Sequence, residues 1–115
     1  IGKKGENIAK NYLQKRGCII LDKNFYGKYG EIDLIVKNKE DTVIFVEVKY
    51  RKTKKYGLSQ EAITQKKKRR IYLTALEYIK KKNINDNNFR FDLIAINNKK
   101  VIWLKNIIWG DEIGF

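Results

Sequence analysis

The segment from Gly30 to Lys49, GEIDLIVKNKEDTVIFVEVK, constrains the fold more than any other part of this 115-residue chain. Two stretches with alternating apolar residues, Glu31–Val36 and Val43–Lys49, flank a polar connection that contains Asn and Asp, which is typical of a β-hairpin. Both faces of each predicted strand carry apolar side chains. We therefore expect a sheet that is covered on both faces, in which any charged residue needs a partner.

Three charged side chains, those of Asp33, Glu47 and Lys49, lie within these apolar strands. Keeping Ile32 and Leu34 on the face that carries the even-numbered apolar residues of the second strand requires odd positions to pair with odd positions. Position 33 then lies opposite position 47 or one pair away. Because opposed like charges destabilise a sheet, we expect a positive group between the two carboxylates.

A Mg²⁺ ion would meet this requirement, since Mg²⁺ commonly binds one or two carboxylates together with water and substrate phosphate. Lys49 follows Glu47 by two residues, so its side chain points the same way about 6.6 Å further along the strand, within reach of a phosphate or a water. An internal salt-bridge cluster of Asp33, Glu47 and Lys49 is the structural alternative. The pattern of residues alone leaves both interpretations open.

The chain is strongly basic, with a formal net charge of +13 and a pI near 9.8. This charge favours a polyanionic partner, with nucleic acid ahead of an anionic membrane. Between positions 51 and 82, twelve basic residues stand against two acidic ones. A solvated lysine-rich surface is the alternative to nucleic-acid binding. The candidate phosphate contacts in this segment are Arg51, Lys52, Lys54, Lys55, Lys66, Lys67, Arg69 and Arg70.

The absence of histidine and the single cysteine narrow the possible chemistry. Imidazole metal ligands, Ser-His and Cys-His catalysis and an intrachain disulfide are excluded, so metal chemistry must use carboxylates. We expect Cys18 to be a buried thiol. No apolar run approaches the roughly 20 residues that span a bilayer, so a cytoplasmic protein with no membrane association and a single domain over residues 1–115 is expected.

A helix is predicted over Gly2–Arg16, with Gly17 ending it. Its one acid, Glu6, lies at the edge of the apolar stripe. An acid near the start of a helix favours the helix dipole, which is the structural interpretation. Beside a metal site, Glu6 would instead be a candidate third carboxylate.

The remaining elements follow from the same kinds of pattern. A short strand is predicted at Cys18–Leu21, and a basic helix is predicted from an N-cap at Ser59 to about Lys82. A second hairpin is predicted at Phe89–Ile96 and Val101–Leu104. We expect its acid, Asp92, to form a salt bridge with Arg90 or Lys105 rather than to act in catalysis. The apolar segment Ile107–Phe115 is either a contact in a homodimer or a tail packed on its own core.

Five stretches together resemble the YraN-like family of small bacterial proteins, within the PD-(D/E)xK, or restriction-endonuclease-like, nuclease superfamily. They are GENIAKNYL (Gly5–Leu13), GEIDLI (Gly30–Ile35), FVEVKYR (Phe45–Arg51), the pair Glu61-Ala62 and RFDL (Arg90–Leu93). The resemblance spans nearly the whole chain. It implies an α/β fold with a restriction-endonuclease-like core, in which helices flank a central mixed β-sheet.

The resemblance also implies a function, that of a metal-dependent nuclease that hydrolyses phosphodiester bonds in nucleic acid. DNA, including structured or branched DNA, is the expected substrate, and Mg²⁺, with Mn²⁺ as a substitute, is the expected cofactor. Asp33 matches the motif aspartate, Glu47 and Lys49 match the E-x-K pattern, and Glu6 is similar to a helical acid of many members. Ile32 departs from the motif, where Pro is usual. A nucleic-acid-binding module that kept the fold and lost catalysis is the alternative.

Overall fold

The computed structural model describes residues 2–51, 63–84, 88–97 and 100–108. Within these ranges the chain forms two helices and five strands. They are α1 (Gly2–Lys15), β1 (Ile19–Gly27), β2 (Gly30–Lys37), β3 (Val43–Arg51), α2 (Gln65–Lys81), β4 (Phe89–Asn97) and β5 (Lys100–Leu104).

The five strands form one sheet in the order β1-β2-β3-β4-β5. Neighbouring strands are antiparallel except for β3 and β4, which are parallel. The chain reaches β4 from β3 by way of α2, because parallel neighbours need a crossover connection. The sheet is therefore mixed, as expected.

The two helices cover opposite faces of the sheet, which confirms the α/β expectation. Alternate residues of β3 divide between two apolar clusters because successive side chains of a strand point to opposite faces. The α1 cluster includes Ala9, Leu13, Leu34, Ile44 and Val46. The α2 cluster includes Phe45, Ile71, Ala75, Tyr78 and Phe91.

The hairpin register was predicted correctly, with one local exception. Leu34 pairs with Val46, so odd positions pair with odd positions. The predicted face of Ile32 is wrong, since Ile32 packs in the α2 cluster whereas Leu34 packs in the α1 cluster. The neighbouring strand β1 is irregular as well: Asn24 has a left-handed φ of 50, and the pairing of β1 with β2 shifts between Ile20 and Asp22.

The ends of several predicted elements need correction. Gly17, with φ +90, ends α1 as expected, and the Cys18 N–H donates to the Leu13 carbonyl across this turn at 3.0 Å. The first strand is longer than predicted and extends from Ile19 through Tyr26 to Gly27.

The second helix begins later than predicted. Its N-cap is Thr64, whose Oγ1 accepts a hydrogen bond from the Lys67 N–H at 3.1 Å. Ser59 and Glu61, which were assigned to the helix start, lie outside the described residues. The second hairpin, β4 and β5, is confirmed.

Two further expectations concern burial. Cys18 is buried, as predicted. Ile107 and Ile108 pack in the α2 cluster of their own chain, while positions 109–115 lie outside the described residues.

Neither described helix is long and apolar enough to cross a bilayer. The homodimer remains a prediction.

Candidate functional site

The carboxylate of Asp33 lies at the point where β2 and β3 separate. The residue pairs between these strands extend from Lys37 and Val43 as far as Leu34 and Val46. Beyond this last pair, the Val48 N–H of β3 donates a 2.8 Å hydrogen bond to Asp33 Oδ2, a side-chain oxygen of β2. A β3 amide therefore fixes this carboxylate in the gap between the two strands.

Glu47 lies beside this gap and is almost completely buried, with 4% of its surface exposed. Its Oε2 lies 2.9 Å from the Lys67 Nζ of α2. Its Oε1 is buried and has no hydrogen-bond partner within the described part of the chain. Such an oxygen is costly to bury unless a donor or a cation satisfies it.

The pKa of Asp33 reflects the crowding of acids around it. Burial raises this pKa most, and the negative charge of Glu47 raises it further. The hydrogen bond from the Val48 N–H lowers this pKa, whereas close contact with the Glu47 carboxyl group and, to a smaller extent, the charge of Glu6 raise it. The net pKa of the Asp33 carboxyl is about 7, which is the direction expected for two carboxylates that share a partly buried site.

The negative charges of the acidic centre also shift the pKa values of two neighbouring residues, Lys67 and Glu31. Partial burial alone would lower the pKa of Lys67, but its hydrogen bond to Glu47 and the charges of Glu47, Asp33 and Glu31 raise it. The pKa of Glu31 is also raised, first by burial and then by the charges of Asp33 and Glu6. The site is therefore an acidic centre next to a basic helix.

A cavity of about 420 Å³ opens over these carboxylates. The β1–β2 turn and the first turns of α2 form its walls, so basic side chains of the helix face the acids of the sheet. The lining residues are Tyr29, Gly30, Glu31, Asp33, Glu47, Thr64, Lys66, Lys67, Arg70 and Ile71. The structure thus brings together Asp33, Glu47 and three of the predicted phosphate-binding residues.

Glu6 approaches the acidic centre from the other side of the sheet. Its Oε1 accepts a 3.0 Å hydrogen bond from Asn24 Nδ2. It lies beyond the first turn of α1, so the helix-dipole interpretation does not apply. Among the residues that the structure describes, no three Asp, Glu or Cys side chains are arranged to hold a metal ion. The negative charge of Glu6 reaches the acidic centre, where it raises the pKa of Asp33.

The other predicted site residues are spread more widely. Lys49 is half-buried on β3 and pairs with Ala95 of β4, two residues beyond Glu47. Arg69 is exposed on α2. Arg51 ends β3, and nothing is described of its side chain; Lys52, Lys54 and Lys55 lie outside the described residues.

Asp92 is completely buried and belongs to a separate network on β4 and β5. Its carboxylate accepts hydrogen bonds from Arg90 Nε at 3.1 Å, from Trp103 Nε1 at 2.8 Å and from the Asn106 N–H at 3.0 Å. The predicted salt bridge to Arg90 is confirmed. Lys105 instead places its Nζ over the Trp103 ring, 4.5 Å from the centroid.

Four residues near the site were not predicted in the roles that they have. The sequence analysis gives no role to Asn24, Tyr29 or Glu31, and it predicts Lys67 only as a phosphate contact. One signal was available for Glu31, which lies two residues before Asp33 and so follows strand periodicity. No comparable signal distinguishes Lys67 from the basic residues around it.

Comparison with known proteins identifies relatives over most of the chain. Residues 5–96 match the sequence model of a family described as "Uncharacterised protein family UPF0102". A UPF0102 protein of Fusobacterium nucleatum is 44% identical over 116 residues, covering 100% of this chain and 96% of that protein. One of Clostridium acetobutylicum is 48% identical, covering 83% of this chain and 77% of that protein.

A third relative, from Vibrio parahaemolyticus, is 40% identical over 94% of this chain and 91% of its own length. The match to the family model, over residues 5–96, includes the strands that carry Asp33 and Glu47 and the helix that carries Lys67. The mixed sheet with a helix on each face is compatible with the restriction-endonuclease-like core that the sequence motifs imply. The chain belongs to the UPF0102, or YraN-like, family, within the restriction-endonuclease-like superfamily.

Proposed function

We propose that this protein is a divalent-metal-dependent nuclease that hydrolyses phosphodiester bonds in nucleic acid, with DNA as the expected substrate. The observation that carries the proposal is the pair of carboxylates between β2 and β3. Glu47 Oε1 is buried and accepts no hydrogen bond from a described N–H or hydroxyl donor, and the Glu47 carboxylate lies so close to Asp33 that the two acids must share a proton or a cation. A purely structural pair of this kind would cost stability, so a ligand that uses it is favoured.

The donor set fits a hard divalent cation. Asp33 and Glu47 offer carboxylate oxygens only, and carboxylates with water are the ligands that Mg²⁺ prefers. When bound, Mg²⁺ would polarise a phosphoryl oxygen and make a bound water more acidic. The half-exposed position of Asp33 leaves room for water and substrate on the cavity side.

Basic side chains around the cavity would bind and orient the substrate. Lys66, Lys67 and Arg70 line the wall opposite the carboxylates, where their charges favour phosphate oxygens. Cations placed in advance around a phosphoryl group stabilise the charge of its transition state. Lys49, on the same strand as Glu47, is proposed to orient or help deprotonate the attacking water, and Glu6 to bind a second ion directly or through water.

A nucleic-acid-binding module without catalysis is the second candidate, and one observation favours it. The Lys67 ammonium already neutralises Glu47 Oε2 at 2.9 Å, as a structural ion pair would. If that pair is permanent, the basic wall of the cavity would bind phosphates while the acids take no part. The two candidates differ in whether the carboxylates are needed for phosphodiester cleavage.

A cleavage assay separates these functions. The purified protein is incubated with duplex, single-stranded, flapped and four-way-junction DNA in Mg²⁺, Mn²⁺ or EDTA, beside Asp33→Asn, Glu47→Gln and Lys49→Gln. Metal-dependent products that all three substitutions abolish would support the nuclease. Binding without any metal-dependent product would support the second candidate.

A further inference from the structure

The turn between β1 and β2 carries two exposed aromatic rings. Tyr26 is 70% exposed and Tyr29 is 45% exposed. Lys28 lies between them in the sequence and is also exposed. Exposed apolar rings that lie together in one patch are typical of a site that meets a ligand or partner.

This turn is held firmly against α2. The Lys28 N–H donates a 2.8 Å hydrogen bond to Oε1 of Glu77, an acidic residue of α2. Gly27 makes this approach possible, because a Cβ at position 27 would clash with the same oxygen. The tyrosines are therefore presented on a fixed turn and not on a free loop.

Tyr29 separates two adjacent cavities. The first is the cavity of Asp33 and Glu47 described above. The second, of about 560 Å³, lies between the turn and the C-terminal half of α2. It is lined by Phe25, Tyr26, Lys28, Tyr29, Glu77, Lys80 and Lys81. Lys66 and Lys81 are fifteen residues apart on α2, so the two cavities together extend over about 22 Å of helix.

The chemistry of the second cavity differs from that of the first. Three lysines and two exposed tyrosines combine positive charge with flat aromatic surface, which is the composition of single-stranded nucleic-acid sites. In a duplex the faces of the bases are stacked on one another, so only unpaired nucleotides can stack on a tyrosine. The lysines beside the rings suit the phosphates of the same strand.

We propose, resting on the proposed function, that the substrate is a strand that is unpaired on one side of the reacting phosphate. Its phosphate lies in the cavity of Asp33 and Glu47, the next base stacks on Tyr29, and further nucleotides occupy the cavity of Tyr26, Lys80 and Lys81. The expected substrates are single strands, and duplexes that end in a single-stranded overhang or branch. Blunt duplex binds through its phosphates alone.

Binding without turnover tests this substrate preference. The affinity of the full chain for a labelled single strand, an overhang duplex and a blunt duplex of equal length is measured by fluorescence anisotropy in EDTA. Removal of the Tyr29 ring in Tyr29→Ala is expected to weaken single-strand and overhang binding by about tenfold and blunt-duplex binding by less than about twofold. Tyr29→Phe keeps the ring and should bind as wild type does, and Ile19→Ala, at the far end of β1, serves as a surface control.

Charge is tested separately with matched pairs of substitutions. The double variant Lys80→Gln, Lys81→Gln should reduce the slope of log affinity against log salt for single-strand binding by about 1.4. The control is the double variant Lys39→Gln, Lys105→Gln, in a different cavity that Arg90 and Trp103 also line, and it should not change this slope. Wild type that binds blunt duplex as tightly as overhang duplex would overturn the proposal, as would a Tyr29→Ala loss that is equal on both. A preference for overhang duplex without metal-dependent cutting would instead overturn the nuclease function. It would leave in place the proposal that Tyr29 and the neighbouring cavity bind unpaired nucleotides.

Discussion

Lys67 Nζ lies 2.9 Å from Glu47 Oε2 and joins the first turn of α2 to the acidic centre of the sheet. The carboxylate is almost fully buried, whereas 45% of the lysine side chain is exposed. The ammonium thus occupies the cation position next to Glu47 from the solvent side. A divalent ion that binds Glu47 must compete with it or share the carboxylate.

Competition of this kind predicts that Lys67→Gln binds Mn²⁺ more tightly than wild type. We expect a gain of only about twofold to fivefold in affinity, because the ion pair between Lys67 and Glu47 is exposed on the lysine side and is therefore weak. Calorimetric titration measures the affinity. Lys66→Gln is the matched control, since Lys66 lines the same cavity from the same helix turn. Weaker binding in Lys67→Gln would mean that the lysine assists the ion rather than competing with it.

The raised pKa of Asp33 predicts a pH-dependent cost in the metal-free protein. Its folded-state pKa of about 7 lies above the ordinary pKa of 3.8 for an aspartate, so the folded chain binds this proton more tightly than the unfolded chain. The stability that the proton contributes is complete below about pH 4 and is lost as the pH rises through about 7.

Replacement by Asn removes this titration and keeps an oxygen that accepts from the Val48 N–H. In urea denaturation with EDTA, Asp33→Asn should gain about 1–3 kcal/mol relative to wild type between pH 5 and pH 8. Comparing the variant with wild type at each pH cancels the titration of the other acids. An equal difference at both pH values would show that Asp33 is not held in this acidic field.

Asp92 is expected to act in stability alone. Asp92→Asn places an amide group among donors from Arg90, Trp103 and Asn106, so a loss of about 2–4 kcal/mol in the free energy of unfolding is expected. Mn²⁺ affinity should stay at the wild-type value in the protein that remains folded. A selective loss of metal binding with unchanged stability would assign Asp92 to the metal site instead.

The basic wall of the first cavity predicts a salt-dependent contact with duplex DNA. Lys66→Gln combined with Arg70→Gln should reduce the slope of log affinity against log salt by about 1.8, since each phosphate contact contributes about 0.9. Arg70 and Lys66 line the cavity from α2, so both contacts are lost together. Affinity that is indifferent to salt in wild type would contradict phosphate binding at this surface.

The sequence was sufficient for the sheet and its pair of acids. Apolar alternation in β2 and β3 requires one register, and that register, which pairs Leu34 with Val46, brings Asp33 and Glu47 together just beyond the last pair. The helix on each face follows from strands that are apolar on both sides. The end of α1 also follows, because Gly17 accepts the left-handed conformation that the turn needs.

The details that escaped prediction depend on contacts between distant segments. Ile32 packs on the face opposite to the predicted one, and Asn24 of the neighbouring strand has a positive φ and directs its amide to Glu6. Lys67 is one of five consecutive basic residues, and only the cap at Thr64 and the packing of Ile71 decide which of them meets Glu47. Periodicity predicts that such a helix has a buried face, but the depth and rotation of that face come from the folded sheet.

Divalent-cation binding by Asp33 and Glu47 is the central claim, and calorimetric titration of Mn²⁺ into the metal-free protein tests it most directly. Wild type should bind with measurable heat, and both Asp33→Asn and Glu47→Gln should lose at least about tenfold in affinity, as expected when a ligand or its close support is removed. Asn7→Ala, an exposed position on α1, should bind as wild type does. The absence of heat above buffer in folded wild type, or an unchanged affinity in Glu47→Gln, would contradict the claim.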